Sequence, residues 1–163
     1  MKRRHVLKAL PVAGGTFLAG CASVLDGDGT VLGRIEIINS SFVANRIRVL
    51  VTRDDETLVD QQIELPPIDA GTGIPGTVID QSWSDTQGEY TIIAVHYDES
   101  GDRETKSWEY TITGADYDRY YADSQEDPGC IGAVVKIGSL SETENAAIGI
   151  SPTYMDRPCG TSR

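Results

Sequence analysis

The side chains of this 163-residue chain that could do chemistry are three cysteines, two histidines and 25 carboxylates. His96 is the only histidine beyond His5. A Ser-His-Asp arrangement around it is formally open. However, His96 ends an alternating run with Tyr90, Ile92 and Ala94, and no G-x-S-x-G elbow occurs in the chain. The expected role is an edge or packing histidine. A blue-copper centre needs two histidines with a cysteine, which excludes that chemistry once His5 is set aside with the N-terminal segment.

Carboxylate chemistry has two candidate locations. Asp26, Gly27, Asp28 and Gly29 resemble the start of a calcium loop, but in that register Val24 and Ile35 fill ligand positions that require carboxylates. This stretch therefore reads as a flexible tether. The segment DYDRYYADSQED carries Asp116, Asp118, Asp123, Glu126 and Asp127, which could gather a calcium ion. Its Tyr117, Tyr120 and Tyr121 could meet a partner. The preferred reading is a loop or single helical turn joining two strands, with its tyrosines on the core. Paired carboxylates could also hydrolyse glycosides, without further support from the sequence. Asn39, Ser40 and Ser41 form an N-x-S sequon after the first strand, where a glycan would point outward. No cofactor is expected.

The elements that must position these groups read as strands. Ile47, Val49 and Val51 alternate with Arg48, Leu50 and Thr52 at the period of two that a strand requires, and Asp54 to Glu56 then make a turn. Further strands are predicted over 33–39, 57–65, 77–83, 89–97, 104–113, 132–137 and 147–154. No sustained helical stripe appears. Seven or eight strands with hairpin turns such as 98–102 predict an all-β fold of two packed antiparallel sheets, a β-sandwich. Trp83, Trp108, Tyr90, Tyr110 and Ile112 are the expected large core fillers, with carbohydrate stacking as the alternative for the tryptophans. Gly88, Glu89 and Tyr90 give G-x-Y entering a strand, which resembles the tyrosine corner of immunoglobulin-like domains. The resemblance implies an immunoglobulin-like sandwich and nothing about partners.

The N-terminus reads MKRRHVLK, and its Arg3, Arg4, Leu7 and Lys8 match the twin-arginine export signal, which it resembles. Residues 9–19 are too few to span a bilayer, which takes about 20 apolar residues, and fit a signal-peptide core. Leu18, Ala19, Gly20 and Cys21 resemble the lipoprotein cleavage box. The resemblance implies a signal peptide over 1–20, a lipid on Cys21, a tether over 21–32 and one domain over 33–163. It further implies a membrane contact through that lipid, on the extracellular face of the cytoplasmic membrane.

The first 20 residues hold four of the 14 basic residues and none of the 25 acidic ones. The remainder therefore carries ten basic residues and a net charge of −15, with only Lys106 and Lys136 as lysines. Dispersed acid with scarce lysine is similar to secreted lipoproteins of haloarchaea. Nucleic acid is excluded as a partner for want of a basic stripe. With Cys21 assigned to lipid, Cys130 and Cys159 can form one bridge, expected to be oxidised outside the cell. Three function classes follow. The first is a noncatalytic surface lipoprotein with an envelope protein partner. The second is a transport accessory subunit binding a small ligand or calcium, and the third is a carboxylate-based hydrolase.

Overall fold

The computed structural model describes residues 29–69, 71, 73–98, 103–122, 127–138, 147–155 and 158–159. The clearest alternating segment forms β2 (Asn45–Arg53), which buries Ile47, Val49 and Val51 completely. Its outward arginines bridge to the next strand, β3 (Glu56–Leu65). Arg48 grips Asp60 with both ends of its guanidinium fork, at 2.6 and 2.7 Å, and Arg46 pairs with Glu64. The turn between β2 and β3 places Asp54 and Asp55 at φ 48° and 68°. Both central residues at positive φ suit the strand twist, and aspartate tolerates that region better than most residues.

The described residues add β1 (Leu32–Asn39), β4 (Gly76–Ile79), β5 (Tyr90–Tyr97) and β6 (Glu104–Ile112). Helix α1 (Gly114–Tyr121) and strands β7 (Ile131–Ile137) and β8 (Ile148–Thr153) follow. One sheet has the order β4-β1-β7-β8 and the other β3-β2-β5-β6. Their inner faces share one core, with Leu32, Ile35, Ile37, Ile131, Val135 and Ile137 from the first sheet and Ile47, Val49, Val51, Tyr90, Ile92 and Ile112 from the second, all fully buried.

Four expectations are corrected. The sheets are not wholly antiparallel, because β1 and β7 run parallel. Strand β6 ends where β1 begins, and α1, itself not expected as a two-turn helix, lies in the crossover to the other sheet at that end, so β7 starts beside β1 and runs its way. The fourth strand stops at Ile79, and Trp83 lies beyond it, donating its indole N–H to Leu32 O at 2.8 Å. Trp108 is no core filler. It sits opposite fully buried Ala94 and so turns to the inner side, but β6 is an edge strand and the indole stays 52% exposed. The tyrosine expectation holds: the fully buried Tyr90 donates its hydroxyl to Thr86 O at 2.6 Å, and Arg53 lies over its ring at 5.9 Å.

The outermost strands of the second sheet carry polar groups on their inner side. Gln61 of β3 faces the same way as buried Val49, and Lys106 of β6 the same way as His96. Both residues are exposed. Such inward polar groups discourage pairing with another strand.

Strand β1 shifts register against β7 between Leu32 and Ile35. The bulge takes Arg34 N–H out of the ladder, and that donor goes to Pro158 O at 2.7 Å. Pro158 is held there by the Cys130–Cys159 disulfide, whose Cα atoms are 5.7 Å apart across a sequence separation of 29. Closing a loop of this length stabilises the fold by about 3–4 kcal/mol on the chain-entropy model. Gly33 is required at the crossing, since a Cβ would overlap the Pro158 carbonyl and press on Cys130 Sγ at 3.1 Å. Gly33→Ala is accordingly expected to cost about 1–3 kcal/mol in urea unfolding. Gly149→Ala, where an added Cβ meets nothing within 4 Å, is expected to stay within about 0.5 kcal/mol.

Candidate binding surface at the loop tip

The chain enters the described fold at one end, where Thr30 and Gly88 exchange backbone hydrogen bonds of 3.1 and 3.0 Å. Eight residues of β1 then cover about 26 Å to Asn39 at the opposite end. There the chain turns through residues 40–44 into β2, and a second loop over 66–75 leads into β4. The two loops are tied together: Ile68 N–H donates to Ser41 O at 2.8 Å, and Asn39 N–H to Pro75 O at 2.9 Å.

Beneath the loops lies a buried polar network. Asn39 is fully buried, and its Nδ2 donates to Val43 O at 2.9 Å and Pro66 O at 2.7 Å. Its Oδ1 accepts from Ser41 N–H and Oγ and from Asn45 Nδ2 at 2.8–3.0 Å. Val43 O lies within hydrogen-bond reach of three side-chain donors, those of Asn39, Ser41 and Asn45. Among the described residues no buried side-chain polar atom lacks a partner. The sequon expectation is corrected here. The Asn39 amide points inward and is fully engaged, because it replaces the backbone ladder where β1 ends, so the folded domain offers no nitrogen for a glycan.

His96 completes the network from β5. Its Nε2 lies 2.8 Å from Asn45 Oδ1 and its Nδ1 2.6 Å from Thr105 Oγ1. Asn45 spends its nitrogen on Asn39, Ser41 and Val43, which leaves its oxygen towards His96. Nε2 therefore carries a proton, and the Thr105 hydroxyl lies between Nδ1 and the His96 carbonyl, 3.1 Å from the latter. Burial, followed by the Lys106 charge, lowers the imidazole's pKa from 6.5. Both partners are neutral side chains, and together they tie the imidazole to β6 and to the loop network.

Above this polar layer the apolar side chains point outward. Phe42, Val43 and Ile74 are 58%, 61% and 59% exposed. Burying polar groups beneath exposed apolar ones reverses the usual hydrophobic sorting. Stability alone would favour the opposite arrangement. The strand pattern around these loops hid them; the available signal was an apolar Phe-Val pair within a turn, and Ile74 before Pro75, where polar residues are usual.

In the acidic segment two carboxylates serve the fold itself. Asp116 is buried and spent on α1: its carboxylate accepts from Thr113 N–H at 3.0 Å and from the Tyr110 hydroxyl at 2.8 Å. Both of its oxygens thus hold the turn into the helix. Burial, with the Asp116 bond second, holds the Tyr110 phenol above its usual pKa. Tyr117 donates to Asp127, which also accepts from Gly129 N–H at 3.2 Å. Tyr117, Tyr120 and Tyr121 pack on the core, matching the preferred reading of this segment. Asp118 and Asp127 line a shallow cleft of 320 Å³ with Thr30, Gln87 and Tyr117. Asp123 and Glu126 lie outside the described residues, as do Arg3, Arg4, Leu7, Lys8, Leu18, Ala19, Gly20 and Cys21. No group of three metal-ligating side chains occurs among the described residues.

Compared with known proteins, the chain matches no family model, and no curated protein matches it significantly.

Two expectations follow. Asn39→Ala, which strands several buried donors, is expected to lower stability by about 3 kcal/mol in urea unfolding. Because the folded pKa of His96 lies below its unfolded value, the unfolded state binds more protons, and this contribution is lost as pH falls through 6.5 towards the folded pKa. The unfolding midpoint should therefore fall between pH 7.5 and pH 5 by more in the native chain than in His96→Gln, with the carboxylate background common to both.

Proposed function

We propose that this chain is exported, anchored by a lipid on Cys21 to the outer face of the cytoplasmic membrane, and serves there as a noncatalytic binding module of the cell envelope. The observation that carries the binding reading is the tip. Phe42, Val43 and Ile74 are held outward by a saturated polar network, at the end of the domain opposite the chain's point of entry. Apolar side chains carried on an anchored backbone cost less ordering on contact than those of a free loop, which suits an interface.

The finer fold reading belongs to the same proposal. Two four-stranded sheets and the Tyr90–Thr86 corner support an immunoglobulin-like sandwich, with the parallel β1–β7 pair as its departure from a purely antiparallel plan. The salt-adapted reading rests on the net charge of −15 beyond residue 20. At about 1 M salt the Debye length is about 3 Å, so self-repulsion is screened while the carboxylates keep the surface hydrated.

The test has two parts on membrane-extracted protein. Intact mass is expected to begin at a lipid-bearing Cys21; a chain that keeps residues 1–20 would end the anchoring proposal. A photoreactive residue at position 42 in living cells is expected to give an adduct, and one at exposed Gln62 on β3 none. Equal labelling from both positions, or from neither, would end the binding proposal.

A further inference from the structure

We infer that the peptide bond between Asp127 and Pro128 is a self-cleavage site, at which the Asp127 carboxylate cuts the chain ahead of β7. The inference stands apart from the anchoring and binding readings above. It starts from a dipeptide and a held side chain. Proline makes the bond a tertiary amide, and protonation of its nitrogen turns proline into a leaving group. An aspartate side chain can reach its own carbonyl carbon through a five-membered ring, and the rate of such an attack depends on how well the two groups are held together.

Here they are held. Asp127 Oδ1 accepts from Gly129 N–H at 3.2 Å, which folds the side chain over the peptide joining 127 to 128. The Tyr117 hydroxyl donates to the same oxygen and itself accepts from Gly129 N–H at 3.1 Å. One phenol, packed on the core from α1, thus clamps both flanks of Pro128. Gly129 supplies the turn at φ 76° that closes the clamp, a region glycine enters freely. With both donors on Oδ1, Oδ2 is the oxygen left to attack. Asp127 is exposed, so water reaches the bond. Among the described residues, the titratable groups lining the cleft beside it are Tyr117 and Asp118. Burial, with the Asp127 bond second, holds the Tyr117 phenol above its usual pKa, so it remains a donor in acid.

In the reaction Oδ2 bonds to the Asp127 carbonyl carbon, and the C–N bond to Pro128 breaks. The nitrogen takes a proton from solvent and leaves as the free amine of Pro128. The cyclic anhydride left on Asp127 then adds one water and opens to two carboxyl groups. The disulfide does not span the cut, since Cys130 and Cys159 both lie beyond it. Strands β1–β6 with α1 form one piece, and β7 with β8 the other. The parallel β1–β7 ladder and the buried Ile131, Val135 and Ile137 hold the two together without a covalent link.

The experiment incubates the full chain at about pH 4.5, folded and, in parallel, unfolded in urea, and reads intact mass under denaturing conditions. Two masses are expected that sum to the parent plus one water, with the second fragment beginning at Pro128. The folded chain is expected to form them at least about tenfold faster than the unfolded one. Asp127→Glu keeps the charge but enlarges the ring by one carbon, and is expected to slow the cut at least about tenfold. Tyr117→Phe keeps the ring on the core and removes the clamp, so its folded rate is expected to drop towards the unfolded one, with protease resistance checking that it folds. No cleavage, a cut at another bond, or equal rates in the folded and unfolded chains overturns the inference. Asp127→Glu cleaving at the native rate overturns Asp127 as the attacking group, and Tyr117→Phe doing so overturns the clamp.

Discussion

The constraint on which the rest of this structure depends is that every backbone donor of a buried central strand must find an acceptor. Strand β1 has neighbours on both sides, β4 antiparallel and β7 parallel, and buries Leu32, Ile35 and Ile37 completely. Its bulge breaks the ladder near the start, and Arg34 N–H turns to Pro158 O. At its far end Asn39 N–H turns to Pro75 O, and the Asn39 side chain takes over where the strands diverge. The disulfide strap at one end and the two-loop tip at the other thus answer the same requirement. Satisfying β1 at both ends shapes both ends of the domain.

Much of the fold was legible because strands announce themselves locally. Ile47, Val49 and Val51 had only to alternate with polar neighbours for β2 to be placed, and β5 and β6 followed from the same periodicity. Tyr90 was legible because its partner, Thr86 O, lies four residues away. The Cys130–Cys159 pairing followed from having two cysteines left to join. The parallel β1–β7 pair was not legible, since it depends on where α1 returns the chain. Trp108 misled because inner-face periodicity says nothing about position in the sheet, and an edge strand leaves half of its indole uncovered. The direction of Asn39 depended on Asn45, Ser41 and two carbonyls in separate loops, contacts that no short window of sequence contains.

The candidate site was less legible for a related reason. The acidic tyrosine-rich segment stands apart in composition, yet much of its polar chemistry is consumed by local structure. Asp116 satisfies the first turn of α1, Asp127 meets Tyr117, and the tyrosines lie on the core. The tip has ordinary residues in an unusual order of burial. Asparagine and serine lie inside while phenylalanine, valine and isoleucine lie outside, an inversion that arises only when the two loops meet.

The inward-facing Gln61 and Lys106 at the margins of the second sheet carry a consequence at high ionic strength. Where dissolved ions quench the mutual repulsion of acidic bodies, charge no longer prevents sheets from joining edge to edge into fibres. What remains is the penalty of stripping water from an amide and an ammonium trapped in a new seam, and that penalty is local, so dissolved ions cannot screen it away. The domain thus keeps a safeguard against runaway assembly that works at the ionic strengths where its net charge gives least protection.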